Sequence, residues 1–324
     1  MDLPKKDRHR FIIYGAGAIG SVFGGMLAGG GHQVDLVGRA AHMQAVASDG
    51  LRIEGLLGEH LVREAGAFTG LGELDRLPEP SAVLVCVKSS DTRGAVDDLA
   101  RSGLVGGRTL VVSLQNGLGN LETVRGAFGE RKSFGGRVIF GAEIREPGRV
   151  FVSVWADKVL IGGPSGRSWR EAGGELAGEL TRCGIETALT DDIEAALWAK
   201  VLYNAGLNPL SAILEVPYGH LGVEPNARQL LVEIITEAFA VASVEVKLPW
   251  RSAEEYLRHF FTRLLPPTEA HHSSMLQDLL RGRETEVDSI NGEIIRRAGG
   301  RGIPVPVNRV VYGLVRAKEG KGKG

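Results

Sequence analysis

The most constraining stretch of this chain is residues 11–20, FIIYGAGAIG. The apolar run Phe11-Ile12-Ile13 meets glycines at Gly15, Gly17 and Gly20. Val22, Phe23, Met26 and Leu27 then follow at helical spacing. This is the pattern of a strand, a tight turn and a helix folded back on the strand. The first glycine permits the turn, the second lets a pyrophosphate approach the backbone, and the third lets helix and strand close together. The helix start, with its free N–H groups, favours negative charge. The stretch predicts a dinucleotide-binding βα unit, with Gly15, Gly17, Ala18, Ile19 and Gly20 against the cofactor. In a chain with 46 glycines the bare spacing also fits a glycine-rich turn in an ordinary βα unit. The flanking apolar pattern argues for the nucleotide.

Beyond this first βα unit the chain reads as an α/β domain. Residues 32–37 form a second strand, 41–47 a short helix, and 51–53 with 60–62 a hairpin around 55–58. Residues 81–87 and 109–113 are continuous apolar runs of strand length, the signature of parallel strands buried on both faces. Residues 133–143 and 150–161 read as two strands, 169–183 as a helix and 185–189 as a short strand. From Ile193 onward helical patterns dominate, over 193–207, 229–241, 253–265, 273–280 and 307–318. Thr285 is a candidate N-cap with Glu286 in the first turn after it. The expected organisation is a Rossmann-type doubly wound domain over 9–192, an all-α domain over 193–318 and a disordered tail over 319–324.

At 324 residues two domains are the natural division. The net charge of −1 offers no basic surface for nucleic acid. No apolar run is long enough to cross a membrane. Cys86 lies in an apolar run, and neither it nor Cys183 belongs to a metal-binding motif. No metal is expected, and a reducing, cytoplasmic setting is the default.

Three further places carry chemistry. After the second strand, an acid would accept from the ribose 2′-OH of NAD, whereas an arginine pairs with the 2′-phosphate of NADP. Arg39 stands there, and the nearby acid, Asp35, lies inside the strand; the reading is NADP(H). The alternative is a solvated loop arginine. Lys88 and Asn116 each lie past the carboxyl end of a buried strand, where ligands bind in open α/β sheets, although Asn116-Gly117 is also the residue pair of a plain turn. Lys200, Asn204 and Asn208 recur every four residues on one helix face. Pro209 should kink or stop that helix near Asn208. The row is either a solvated polar face or one cation and two amides offered to a polar ligand.

Taken together, the chain resembles the ketopantoate reductase (2-dehydropantoate 2-reductase) family. The resemblance rests on GAGAIG at 15–20, CVKS at 86–89, LQNGLG at 114–119, WAKVLYNAGLNPLSAI at 198–213, SSMLQDLLRGRETEVDSINGEI at 273–294 and GIPVPVN at 302–308, in that order. It implies a Rossmann domain and a helical domain with the active site between them. It also implies NADPH-dependent reduction of 2-dehydropantoate to pantoate, a step of pantothenate and coenzyme A biosynthesis. By the same resemblance Lys200 is the catalytic lysine and Glu286 the acidic residue that holds it. Asn204, Asn208 and Ser274 bind the substrate, Ser274 together with helix N-terminal amides. Asn116 lies near the nicotinamide, and Arg39 and Lys88 hold the phosphate end of NADPH. The family often carries a further substrate-binding asparagine where this chain has Tyr218, which lacks the paired donor and acceptor of an amide. Tyr218 is therefore a candidate substrate contact that changes specificity. The partner expected is a small 2-oxo acid, and the assembly expected is a homodimer. The alternatives are a paralogue reducing another 2-oxo acid and a non-catalytic NADP(H)-binding regulator.

Overall fold

The computed structural model describes residues 8–74, 77–163 and 167–321. Two compact units are present: Met1–Gln115 with Asn120–Ile193, and Asn116–Gly119 with Glu194–Gly324.

In the first unit the strands are β1 (Arg10–Tyr14), β2 (Gln33–Val37), β3 (Leu51–Gly55), β4 (His60–Val62), β5 (Gly66–Phe68) and β6 (Ala82–Val85). After these come β7 (Leu110–Ser113), β8 (Ser133–Arg137), β9 (Phe140–Glu146), β10 (Arg149–Trp155), β11 (Val159–Gly162) and β12 (Thr187–Leu189). An eight-stranded sheet runs β12-β11-β8-β7-β6-β1-β2-β5, and a four-stranded sheet runs β4-β3-β10-β9. In the large sheet every pairing is parallel except β8 with β11. Its central strands are apolar on both faces because both are covered. Phe11, Ile13, Val34, Leu36, Leu84 and Val112 enter one core. Ile12, Val37, Val83, Val85 and Val111 enter the other. The helices of this unit are α1 (Ala18–Gly29), α2 (Ala40–Asp49), α3 (Thr92–Ser102), α4 (Asn120–Phe128) and α5 (Arg167–Arg182). From β1 the chain builds outward to β2 and β5, then returns to β6 on the other side of β1. That reversal is the switch point at which open α/β sheets bind ligands.

The two long strands expected over 133–143 and 150–161 are each two strands in different sheets. The chain leaves the large sheet after β8, forms the antiparallel pair β9 and β10, and rejoins at β11. Ala156 N–H donates to Ile139 O at 3.0 Å where the two crossings meet. The Phe140 and Trp155 rings stack beside them with centroids 4.8 Å apart.

The second unit is helical: α6 (Ile193–Leu214), α7 (Tyr218–Val223), α8 (Pro225–Ser243), α9 (Ala253–His259), α10 (Ser274–Leu280), α11 (Glu293–Gly299) and α12 (Pro306–Lys321). Trp198, Val201, Leu202 and Ala205 of α6 are buried, as are Leu231, Ile234 and Ile235 of α8. Several boundaries differ from those the sequence suggested. The helix does not stop at Pro209; α6 runs 22 residues with the proline inside it. Proline removes the N–H that would bond the carbonyl four residues back, and that carbonyl, Ala205 O, instead accepts from Asn291 Nδ2 at 3.0 Å. Nor does the last helix end at residue 318. Lys318 Nζ donates to Ala212 O and Ile213 O at 3.0 and 3.3 Å. Glu319 accepts from the N–H of Thr285 at 2.7 Å. These anchors hold α12 helical through Lys321; the remainder of the expected tail, 322–324, lies outside the described residues. Thr285 is not the N-cap that the sequence suggested: the next helical turn starts at Asp288, after Val287 and without a side-chain cap, and Thr285 Oγ1 accepts from Val287 N–H at 3.2 Å within the connecting turn.

Candidate functional site

The glycines of residues 15–20 turn the chain from β1 into α1. Gly15 and Ala16 both donate their N–H to Val37 O, at 3.0 and 2.8 Å, which ties the turn to β2. Gly15 has φ +104°, and a Cβ there would lie 2.4 Å from Val87 N. A Cβ on Gly20 would lie 2.3 Å from Gly15 O. The protein's own packing demands glycine at both. Gly17 differs: a Cβ there would meet only Gly15 O, at 4.0 Å. The space in front of Gly17 is open, and α1 begins behind it with no side-chain cap and no acid in its first turn. An uncapped helix start with no acid in its first turn, and room at Gly17, fits a pyrophosphate.

Arg39 is exposed just past β2, at the N-cap of α2. Asp35 is buried within β2, where Arg10 Nε donates to its Oδ2 at 2.7 Å. A carboxylate committed to a buried guanidinium is not available to a ribose hydroxyl. Lys88 follows β6 as the N-cap of a short 3₁₀ turn, Ser89–Asp91. One group absent from the sequence expectations joins these pieces. His42 of α2 accepts from Gly148 N–H at its Nδ1 (3.0 Å), so its Nε2 carries the proton toward Ser21 Oγ of α1, 2.9 Å away. Burial lowers the His42 pKa and keeps the ring neutral.

In the second unit, Lys200, Asn204 and Asn208 project from three successive turns of α6, with both asparagines buried. Lys200 Nζ donates to Asn116 Oδ1. Asn116 Nδ2 donates to Glu286 Oε2 at 2.9 Å. A cation on one side and a carboxylate on the other orient this amide, since only its oxygen accepts and only its nitrogen donates. The loop carrying Asn116 is pinned by residues with no signal of their own in the sequence. Leu118 N–H donates to Ser289 O at 2.8 Å. Gly117, at φ +83°, lies so close to Ser289 that a Cβ would come within 2.4 Å of that oxygen. The one available signal was Gly117 itself, read as a close-approach glycine rather than a turn.

At the other end of the row, Tyr218 Oη donates to Asn208 Oδ1 at 2.7 Å. Tyr218 is buried, and burial holds its pKa well above 10, so the hydroxyl stays a donor. Tyr218 thus fills one of the two acceptor positions of Asn208 Oδ1. Tyr203 and His271 flank Tyr218 edge-on, at centroid distances of 6.2 and 5.2 Å. Ser273, not Ser274, carries the structural load at α10. Its Oγ accepts from Leu276 N–H at 3.0 Å and donates to Asn208 O at 3.1 Å. That bond brings the start of α10 against α6, with the Ser274 side chain exposed beside it. Among the described residues, no cluster of His, Cys, Asp and Glu could hold a metal, and no helix is long and apolar enough to cross a membrane.

Residues 11–165 match the family described as ketopantoate reductase PanE/ApbA, and residues 192–319 match its C-terminal part. The chain belongs to the ketopantoate reductase family. It is 36% identical to the 2-dehydropantoate 2-reductase of Aquifex aeolicus, over 96% of this chain and 97% of that protein. The structure of a PanE/ApbA family ketopantoate reductase from Ralstonia eutropha superposes with a TM-score of 0.85 at 35% identity, covering 97% and 100% of the two chains. D-mandelate dehydrogenase, solved in a ternary structure with NADH and anilino(oxo)acetate, superposes at 0.86 with 27% identity and the same coverage. Ketopantoate reductases thus share both the doubly wound sheet and the helical unit found here.

Proposed function

We propose that this chain is an NADPH-dependent 2-dehydropantoate 2-reductase, a cytoplasmic enzyme of pantothenate synthesis. The observation that carries the reading is the Lys200–Asn116–Glu286 chain beside Asn204 and Asn208. Bound at the glycine cradle and by Arg39 and Lys88, NADPH supplies the hydride for the keto carbon. As the carbonyl is reduced, negative charge grows on its oxygen. Lys200 stabilises that charge and gives a proton to that oxygen. Asn116, held toward Glu286, keeps the ammonium in place. Asn204 and the Nδ2 of Asn208 orient the substrate's oxygens, and Ser274 binds its carboxylate. Preference for the 2′-phosphate is supported by the exposed Arg39 and by the commitment of Asp35 to Arg10.

A second reading arises from Tyr218. Where many of the family present an amide, this chain donates a tyrosine hydroxyl to Asn208 Oδ1. A buried tyrosine in that place, lacking the paired donor and acceptor of an amide, fits a 2-oxo acid other than 2-dehydropantoate. Loss of NADPH absorbance, measured across 2-dehydropantoate and a panel of 2-oxo acids with NADPH and NADH, separates the two readings. Lys200→Ala should lower kcat about 10²–10⁴-fold and leave NADPH affinity nearly unchanged. Retention of most activity would sink the assignment of Lys200.

A further inference from the structure

Every proline inside a helix leaves one carbonyl without its partner, four residues earlier. In α6 that carbonyl is Ala205 O, one residue past Asn204 and three before Asn208. It is not left to solvent. Asn291, fully buried, donates its Nδ2 to Ala205 O at 3.0 Å. The same nitrogen donates to Asn308 Oδ1 at 3.0 Å. Asn308 is itself buried and anchored, its Nδ2 donating to Ile234 O at 3.1 Å and to Glu237 Oε2 at 2.8 Å. Asn291 is therefore held from behind by α8 and α12 while it faces α6.

Asn291 also belongs to the segment that positions the other half of the site. Residues 286–291 contain Glu286, which accepts from Asn116, and Ser289, whose carbonyl holds Leu118 N–H. The segment then winds through a wide turn, Asp288–Gly292, in which Gly292 N–H bonds Val287 O at 2.9 Å. Such π turns occur at functional sites because the extra residue redirects side chains. Here, one turn sets Ser289 against the Asn116 loop and Asn291 against α6. The placement of Asn116 and that of the Asn204–Asn208 row are thereby fixed to the same short stretch.

We infer that Asn291 is a positioning residue: its side-chain amide replaces the backbone N–H that Pro209 lacks, and so holds the Lys200–Asn204–Asn208 row in register with Asn116 and Glu286. The inference deepens the reading of this site as a reductase centre and rests on it for its kinetic readout. Asn291→Leu would keep the volume and remove the donor, leaving both Ala205 O and Asn308 Oδ1 without it. An alanine at 209 would restore the missing N–H to that same carbonyl.

The test is the cycle of Asn291→Leu, Pro209→Ala and the double variant, in the full-length protein, with NADPH and 2-dehydropantoate well below each variant's Tm. Asn291→Leu should lower kcat roughly 10- to 100-fold, the scale of an ångström-sized misplacement. It should also raise KM for the oxo acid and leave the Kd of NADPH unchanged. Adding Pro209→Ala should recover kcat to within about 3-fold of the Pro209→Ala parent, because the two changes act on one carbonyl. Tm should fall and then recover in part, because Asn308 Oδ1 still lacks its donor in the double variant. A double variant no better than Asn291→Leu, in kcat or in folding, overturns the inference. So does an Asn291→Leu protein that loses Tm but keeps kcat. If the wild-type protein turns over no oxo acid, the reductase reading fails, while the Tm cycle still decides whether Asn291 stands in for the Pro209 N–H.

Discussion

The Asn116 loop can be moved by one methyl group. Gly117→Ala places a Cβ 2.4 Å from Ser289 O, 2.5 Å from Ser289 Oγ and 2.6 Å from Ser289 Cβ. Ordinary contact begins near 3.4 Å, so the loop or the Ser289 turn must give by about 1 Å. Ser289 cannot yield alone, because its carbonyl holds Leu118 N–H and its hydroxyl donates to Glu286 O at 3.0 Å. The loop therefore moves, and Asn116 moves with it. The left-handed φ of +83° adds about 1–2 kcal/mol for a residue with a Cβ. In a unit of this size each kcal/mol lowers Tm by only a few degrees, about 4 °C. Catalysis is far more sensitive to displacement, with about 10²-fold lost for a misplacement of 1 Å. The expected outcome is a protein that melts a few degrees lower and turns over 2-dehydropantoate about 10²-fold more slowly. NADPH affinity should change far less than kcat, since the glycine turn, Arg39 and Lys88 belong to the first unit. Calorimetry, NADPH titration and steady-state kinetics on one preparation check all three. A Gly117→Ala enzyme with wild-type kcat and a lowered Tm would refute the idea that this loop positions a catalytic group.

The first unit offers further tests. Arg39→Asp should shift preference from NADPH toward NADH, read as the ratio of kcat/KM for the two; an unmoved ratio removes Arg39 from the 2′-phosphate. Asp35→Asn strands the buried Arg10 guanidinium and should cost about 3–5 kcal/mol, measured by denaturant unfolding; a change below about 1 kcal/mol would mean the pair is not carried in the fold. For His42, burial lowers the folded-state pKa from 6.5. The unfolded chain then binds the proton more readily, so the contribution of His42 is fully present above about pH 6.5 and is lost as pH falls through the folded pKa. His42→Gln should accordingly show a shallower fall of Tm below pH 6.5 than wild type does; parallel curves would clear His42 of that role.

What the sequence determined by itself is local or periodic. Residues 11–20 specify a strand, turn and helix, because the glycine spacing is a backbone requirement and the apolar positions are a burial requirement. The runs over 81–87 and 109–113 specify parallel strands covered on both faces. The four-residue spacing of Lys200, Asn204 and Asn208 specifies a shared helix face. Family membership was legible because six such pieces stand in one order. Tertiary structure decided everything that depends on contact between distant residues. Whether 133–161 holds two strands or four depends on which sheet each half pairs with, and apolar content alone does not say. Whether Pro209 stops its helix depends on a donor 82 residues later in the chain, the amide of Asn291. Whether Asp35 is free for a ribose depends on Arg10 across the β1–β2 register. The glycine turn was legible from its own spacing. The Asn116 amide acquired its place only when folding set Lys200 on one side of it and Glu286 on the other.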